Sequence, residues 1–172
     1  AIRKENIAYT GDNMSFVVPS KTLNEVMKLS EGKEKVSMCV AKRHIIFDIE
    51  NYSVISRLLD GEFLNYSEAI PKSVKSEIKI NVKNFIDSIE RTSLLITDKL
   101  KSPLRCIFDE NMVRISTITS LGTANDKLKA QTDGNRVEIG FNNRYLLDAL
   151  KVCDCDEVKI TLNGALSPIT IT

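Results

Sequence analysis

An α+β fold, built by repeating a strand, a helix and a short meander, is what this 172-residue sequence predicts. Three observations carry the prediction. Short runs rich in β-branched residues recur along the chain between turn-forming residues. Three other segments place their apolar residues with a period near 3.6. Those three segments superpose on one another at nearly constant spacing, the mark of a repeated unit.

The strands are read, in order, as SFVVP (15–19), KVSMCV (35–40), HIIFDIE (44–50) and SVISRLL (53–59), then SEIKIN, LRCIFD, MVRISTIT, RVEIGF, EVKITLN and ITIT. Turn signals stand among them at DEN (109–111), DG (133–134) and NG (163–164). Helices are expected over SKTLNEVMKL (20–29), VKNFIDSIERTSLL (82–95) and NRYLLDALK (143–151), with Phe85, Ile86 and Ile89 on one stripe. Superposing Lys21, Lys83 and Arg144 aligns Leu23 with Phe85 and Leu146, Glu25 with Asp87 and Asp148, and Met27 with Ile89 and Leu150. The copies lie 62 and 61 residues apart. A unit of this length must stack against a neighbour to bury its helix stripe. The third copy stops early at Thr172, and the first nine residues read as a strand left from a preceding copy. The sequence is therefore expected to be a piece of a longer chain.

Composition limits what the chain can do. Hydrophobic residues make up 42% and charged residues 27%, a globular balance, and the net charge is only +1. A nucleic-acid binder of this composition has to rely on a local patch, because the whole-molecule field offers little steering. The apolar runs are too short to span a bilayer, and the start AIRKENIAY has no signal-peptide core, so a cytoplasmic setting is expected. Reduced thiols are expected for Cys39, Cys106, Cys153 and Cys155; the last two have the wrong spacing for a CxxC pair, and neither a metal nor a cofactor is expected. With one histidine, His44, and no P-loop, GxSxG or HExxH, the sequence offers no catalytic constellation. Asp154, Asp156 and Glu157 cluster beside the cysteines as a solvated turn.

Each helix carries two cations about two turns, or roughly 10 Å, apart. They are Lys21 with Lys28, Lys83 with Arg91, and Arg144 with Lys151. Two readings stand at this level. The cations solvate outward helix faces, helped by the acids four residues on, or they line a surface that tracks phosphates.

Three motifs, in order, carry a resemblance. SRLLDGEFLNYSEAIP (56–71), EIGFNNRYLLDALK (138–151) and LSPITIT (166–172) closely resemble the bacterial DNA polymerase III beta subunit, the sliding clamp, and the likeness covers essentially the whole chain. Members of that family have three similar domains per subunit, each of two strand-helix-meander units, and a pair of subunits joins head to tail around duplex DNA. The resemblance thus implies a DNA clamp fold, with residues 1–72 the second half of the middle domain and 73–172 a C-terminal domain truncated at its end. It implies a non-catalytic processivity factor, working as a homodimeric ring on double-stranded DNA without regard to sequence. Helices line the hole in such rings, so Lys21, Lys28, Lys83, Arg91, Arg144 and Lys151 are expected to face the duplex and neutralise phosphates without reading bases.

The resemblance also implies a groove between the middle and last domains that takes peptide motifs from the polymerase III alpha subunit, the clamp loader and other clamp-binding proteins. The matching positions are Leu64, Asn142, Tyr145, Leu166 and Pro168. Many members have Pro where this chain has Leu64. Asn142 either orients a peptide or caps the helix, and for Tyr145 and Leu166 the competing reading is core packing. A β-rich protein-interaction module that never touches DNA is the alternative for the chain as a whole.

Overall fold

The computed structural model describes residues 1–7, 9, 11–71, 73–97 and 102–172. The chain divides into two compact units, Ile2–Asn65 and Tyr66–Thr172. The division falls earlier than the 72/73 boundary expected from sequence. The run-up to the first strand of the second unit is tied into it: Asn163 donates to the Ser73 hydroxyl at 2.8 Å, and the Lys75 amide donates to the Leu162 carbonyl at 2.9 Å.

In the first unit, helix α1 (Ser20–Leu29) accompanies an antiparallel sheet of β1 (Ser37–Val40), β2 (His44–Ile49) and β3 (Tyr52–Arg57) in that order. Strand alternation buries Ile45, Phe47 and Ile49 on one face. A hydrogen bond between the hydroxyls of Thr22 and Ser56, 2.7 Å long, joins α1 to β3. The expected strand over 15–19 does not form, nor do the described residues among the first nine adopt regular structure. Val17 accepts a single backbone bond, from Leu59, and one bond without a neighbouring ladder leaves the segment irregular.

The second unit contains the short helix α2 (Tyr66–Ala69), strand β4 (Ser76–Asn81), helix α3 (Val82–Ser93), strands β5 (Leu104–Asp109), β6 (Met112–Thr119), β7 (Gly122–Lys129), β8 (Gln131–Gly134) and β9 (Val137–Phe141), helix α4 (Asn143–Lys151), and strands β10 (Glu157–Leu162) and β11 (Thr170–Ile171). Two four-stranded antiparallel sheets result, ordered β11-β10-β4-β8 and β7-β6-β5-β9. Their inner faces and the two long helices enclose one core, in which Phe85, Ile89, Leu104, Cys106, Leu150, Ile160 and Leu162 are fully buried. Burial pushes the Cys106 thiol up to about 12, so it stays protonated and behaves as a small apolar side chain.

Local chemistry fixes the connections. Glu110 and Asn111 both have positive φ, 46° and 60°, between the paired Asp109 and Met112, so a two-residue primed turn closes the β5–β6 hairpin. The DG signal is not a free turn: Asp133 and Gly134 lie within β8, paired with β4. Gly134 has φ 109°, and a Cβ there would lie 2.3 Å from the Lys75 carbonyl oxygen, so the close approach of the two backbones requires glycine.

The repeated helices differ in what they bury. Phe85 and Ile89 of α3, and their counterparts Leu146 and Leu150 of α4, are buried in the core that the two packed helices share with the sheets. Their counterparts on α1, Leu23 and Met27, are 42% and 69% exposed. Within Ile2–Asn65, α1 is the single helix among the described residues, and its outer stripe has no second helix to face.

Candidate nucleic-acid interface

Both long helices of the second unit are entered through asparagine. The Asn81 side chain accepts from the Asn84 amide at 3.0 Å, and the Asn142 side chain accepts from the Arg144 amide at 3.0 Å. These caps satisfy amides that have no partner inside the helix. Asn81 also donates to the Asp156 carbonyl at 3.0 Å, which anchors the start of α3 to the turn before β10. Capping is therefore the role Asn142 holds in this structure.

Helix geometry then sorts the cations. At about 100° per residue, Arg144 and Lys151 share one flank of α4, and Tyr145 lies about 100° around from Arg144. Tyr145 is 75% exposed, which rules out core packing as its role. On α3 the residue that shares a flank with Lys83 is Glu90, seven positions on, whereas Arg91 is turned toward β7.

Arg91 meets Asp126 there. Its Nε and Nη2 donate to one Asp126 oxygen at 3.1 and 2.6 Å, the Ser88 hydroxyl donates to the same oxygen at 2.8 Å, and the Lys127 amide donates to the other at 2.8 Å. Burial disfavours the charged carboxylate, but the bonds from Arg91, Ser88 and the Lys127 amide outweigh it and hold the Asp126 pKa below the usual carboxylate range. Lys151 is paired as well: its Nζ lies 2.8 Å from Glu90 of α3, a bridge between the helices, and that hydrogen bond raises the lysine's pKa. On α1, Lys28 bonds Glu25 at 3.0 Å, and this i,i+3 pair replaces the Lys21–Glu25 pair suggested by sequence. Lys21 and Lys83 have no acidic partner among the described residues. Sequence reading placed the cations but missed Asp126 and Glu90 as their partners; Asp126 sits in a strand that reading also missed.

The remaining candidates are exposed. Leu166 is fully exposed and Pro168 is exposed, both between β10 and β11, and Leu64 in the first unit is 76% exposed. A cavity of about 400 Å³ at the start of α4 takes in Asn142 and Arg144 together with Ile96, Pro103 and Phe141. Tyr145, Leu166 and Pro168 do not line it. All four cysteines are free. No cluster of three or more His, Cys, Asp or Glu able to hold a metal occurs among the described residues. Among the same residues, no helix is long and apolar enough to cross a membrane.

Comparison with known proteins places this arrangement. The sequence profile for the C-terminal domain of the DNA polymerase III beta subunit matches residues 67–172, and that for its central domain matches residues 1–65. The chain belongs to the DNA polymerase III beta subunit family. A beta sliding clamp from Staphylococcus epidermidis is 29% identical over 99% of this chain and 46% of its own length. The crystal structure of a beta subunit from Eubacterium rectale superposes with a TM-score of 0.90 at 30% identity, covering 94% of this chain and 45% of that one. A sliding clamp from Bartonella birtlesii, solved bound to griselimycin, superposes with a TM-score of 0.84 at 26% identity, over 91% of this chain and 42% of that one. The chain thus spans under half the length of the beta subunits it resembles, and its two matched regions coincide with its two compact units. Family and fold agree with the clamp architecture expected from the sequence motifs.

Proposed function

We propose that this chain is part of a DNA sliding clamp, with Ile2–Asn65 the second half of the middle domain and Tyr66–Thr172 the C-terminal domain. The observation that carries the reading is the succession of two matched domains of one family along the chain. In this reading the full-length protein closes as a homodimer around duplex DNA and tethers the replicative polymerase in the cytoplasm. It contributes no chemical step of its own. Lys83, with Lys21 on the first unit, contacts phosphates electrostatically and without base readout, which is the kind of contact that permits sliding.

Peptide capture is the second part of the reading. Tyr145, Leu166 and Pro168 are exposed apolar or amphipathic side chains, as expected of residues kept for a partner. Leu64 on the first unit is exposed in the same way, and Asn142 contributes by capping the first turn of α4.

The decisive experiment loads the full-length protein onto nicked circular DNA and then linearises it. Retention on the circle and loss from the linear product are expected; equal release from both forms refutes encirclement. In the same protein, Tyr145→Ala and Leu166→Ala are expected to weaken binding of a labelled clamp-binding peptide while leaving the unfolding midpoint unchanged. Wild-type affinity in both variants removes these residues from the groove.

A further inference from the structure

We propose that Glu90 and Asp126 set the strength of phosphate contact by holding Lys151 and Arg91 in ion pairs, so that the α3–α4 face meets a duplex with fewer available cations than it carries. The inference rests on the phosphate-facing reading above and goes beyond it by assigning a role to two acids.

The geometry supplies the argument. Helices α3 and α4 present four cations, Lys83, Arg91, Arg144 and Lys151, and these are matched by Asp87, Glu90 and Asp148 on the helices and by Asp126 beside Arg91. The acids are not equivalent. Glu90 reaches across the helix pair to Lys151 at 2.8 Å, and Asp126 takes two donors from the Arg91 guanidinium. Asp87 holds no cation among the described residues. Salt dependence of duplex binding measures how many phosphates are neutralised, at about 0.9 in the logarithmic slope for each. A cation already paired with a carboxylate must first exchange that partner to neutralise a phosphate. The paired Arg91 and Lys151 therefore add little to the slope, and the contact stays weak enough for the duplex to move past.

Ser88 strengthens the case for Asp126. The residue is buried and its hydroxyl shares the carboxylate oxygen that Arg91 uses, so the acceptor has a second anchor besides Arg91. Glu90 has no such support, and its pair is half exposed on both sides. Its removal consequently frees Lys151 with little cost to the fold.

The test uses the full-length protein and a short linear duplex, which slips out of any ring, so that affinity reports contacts alone. Binding is measured between about 50 and 200 mM salt. Lys83→Ala is expected to lower the slope by about 0.9. Glu90→Gln is expected to raise it by about 0.9, equivalent to a further ~3.5-fold loss of affinity across that range. The double variant Glu90→Gln/Lys151→Gln is expected to return to the wild-type slope, and Asp87→Asn to stay there. Asp126→Asn, which keeps an acceptor for Ser88 and Arg91, is expected to steepen the slope as Glu90→Gln does.

The outcomes separate the two claims. No change with Lys83→Ala overturns the phosphate-facing reading and this inference with it. A lowered slope with Lys83→Ala, but none of the steepening with Glu90→Gln, overturns the inference alone. So does steepening that persists in the double variant or appears equally with Asp87→Asn. A wild-type slope in Asp126→Asn overturns the assignment of Asp126.

Discussion

Truncating the same repeat position in two helices is expected to give opposite results. Ile89 of α3 and Met27 of α1 are counterparts in the repeated unit, yet Ile89 is fully buried and Met27 is 69% exposed. Ile89→Ala removes three carbons from a closed core shared with Phe85, Leu104 and Leu150, at a cost of about 2–5 kcal/mol for the transfer and cavity terms together. For a unit of this size each kcal/mol lowers Tm by about 4 °C, so the loss is roughly 8–20 °C. Met27→Ala deletes a side chain that already meets water and is expected to change stability by less than about 0.5 kcal/mol. Hydrogen exchange read separately on β2 and on β4–β6 assigns each change to its own unit, because the most protected amides report opening of the surrounding core. Equal losses for the two variants would refute the claim that burial, and not helix identity, decides the energy.

Two further outcomes follow from the fold. Gly134→Ala is expected to destabilise the second unit by about 1–3 kcal/mol, since its φ of 109° disfavours any side chain and the new Cβ would meet the Lys75 carbonyl; urea midpoints check this. Asp126 has a lowered folded pKa, so its contribution is fully present above the unfolded carboxylate value of about 3.9 and is lost as pH falls through the folded value. Asp126→Asn should therefore flatten the acid limb of a stability profile below about pH 4, while a wild-type limb would show that the pair contributes nothing there.

What was legible in the sequence depended on how strongly burial shapes residue choice. α1 and α4 were read at their observed limits, and α3 ends at Ser93, two residues short of the expected end. Central strands such as β4 and β5 announce themselves because alternate residues enter a core. The sequence GTANDKLK hid β7, because an edge strand with only Ala124, Asp126 and Leu128 turned inward lacks an apolar signature. β8 was hidden for the opposite reason: its DG reads as a turn until the approach of β4 is known. The segment 15–19 has strand composition, but composition cannot supply a neighbouring ladder.

The site divided in the same way. Lys83, Arg144 and Tyr145 are placed by helix period alone, and capping is one of the two readings Asn142 offers from its position, whereas the cap at Asn81 went unread. The partners of Arg91 and Lys151 are not local. Asp126 lies 35 residues from Arg91, and Glu90 reaches Lys151 only because α3 and α4 pack together. Charge is visible in a sequence, but whether that charge is spent depends on tertiary contacts.

The order in which the second unit can assemble follows from its strand pairing. β5, β6 and β7 join through two hairpins and can zip from the Glu110–Asn111 turn outward with little chain to close. The other sheet has to wait, because Ser76 of β4 meets Gly134 of β8 on one side and Leu162 of β10, across nearly the whole unit, on the other. On a ribosome, β4 and α3 emerge long before the strand that completes their sheet, so for much of synthesis Ile78 and Ile80 lack their final cover and depend on whatever shields nascent chains.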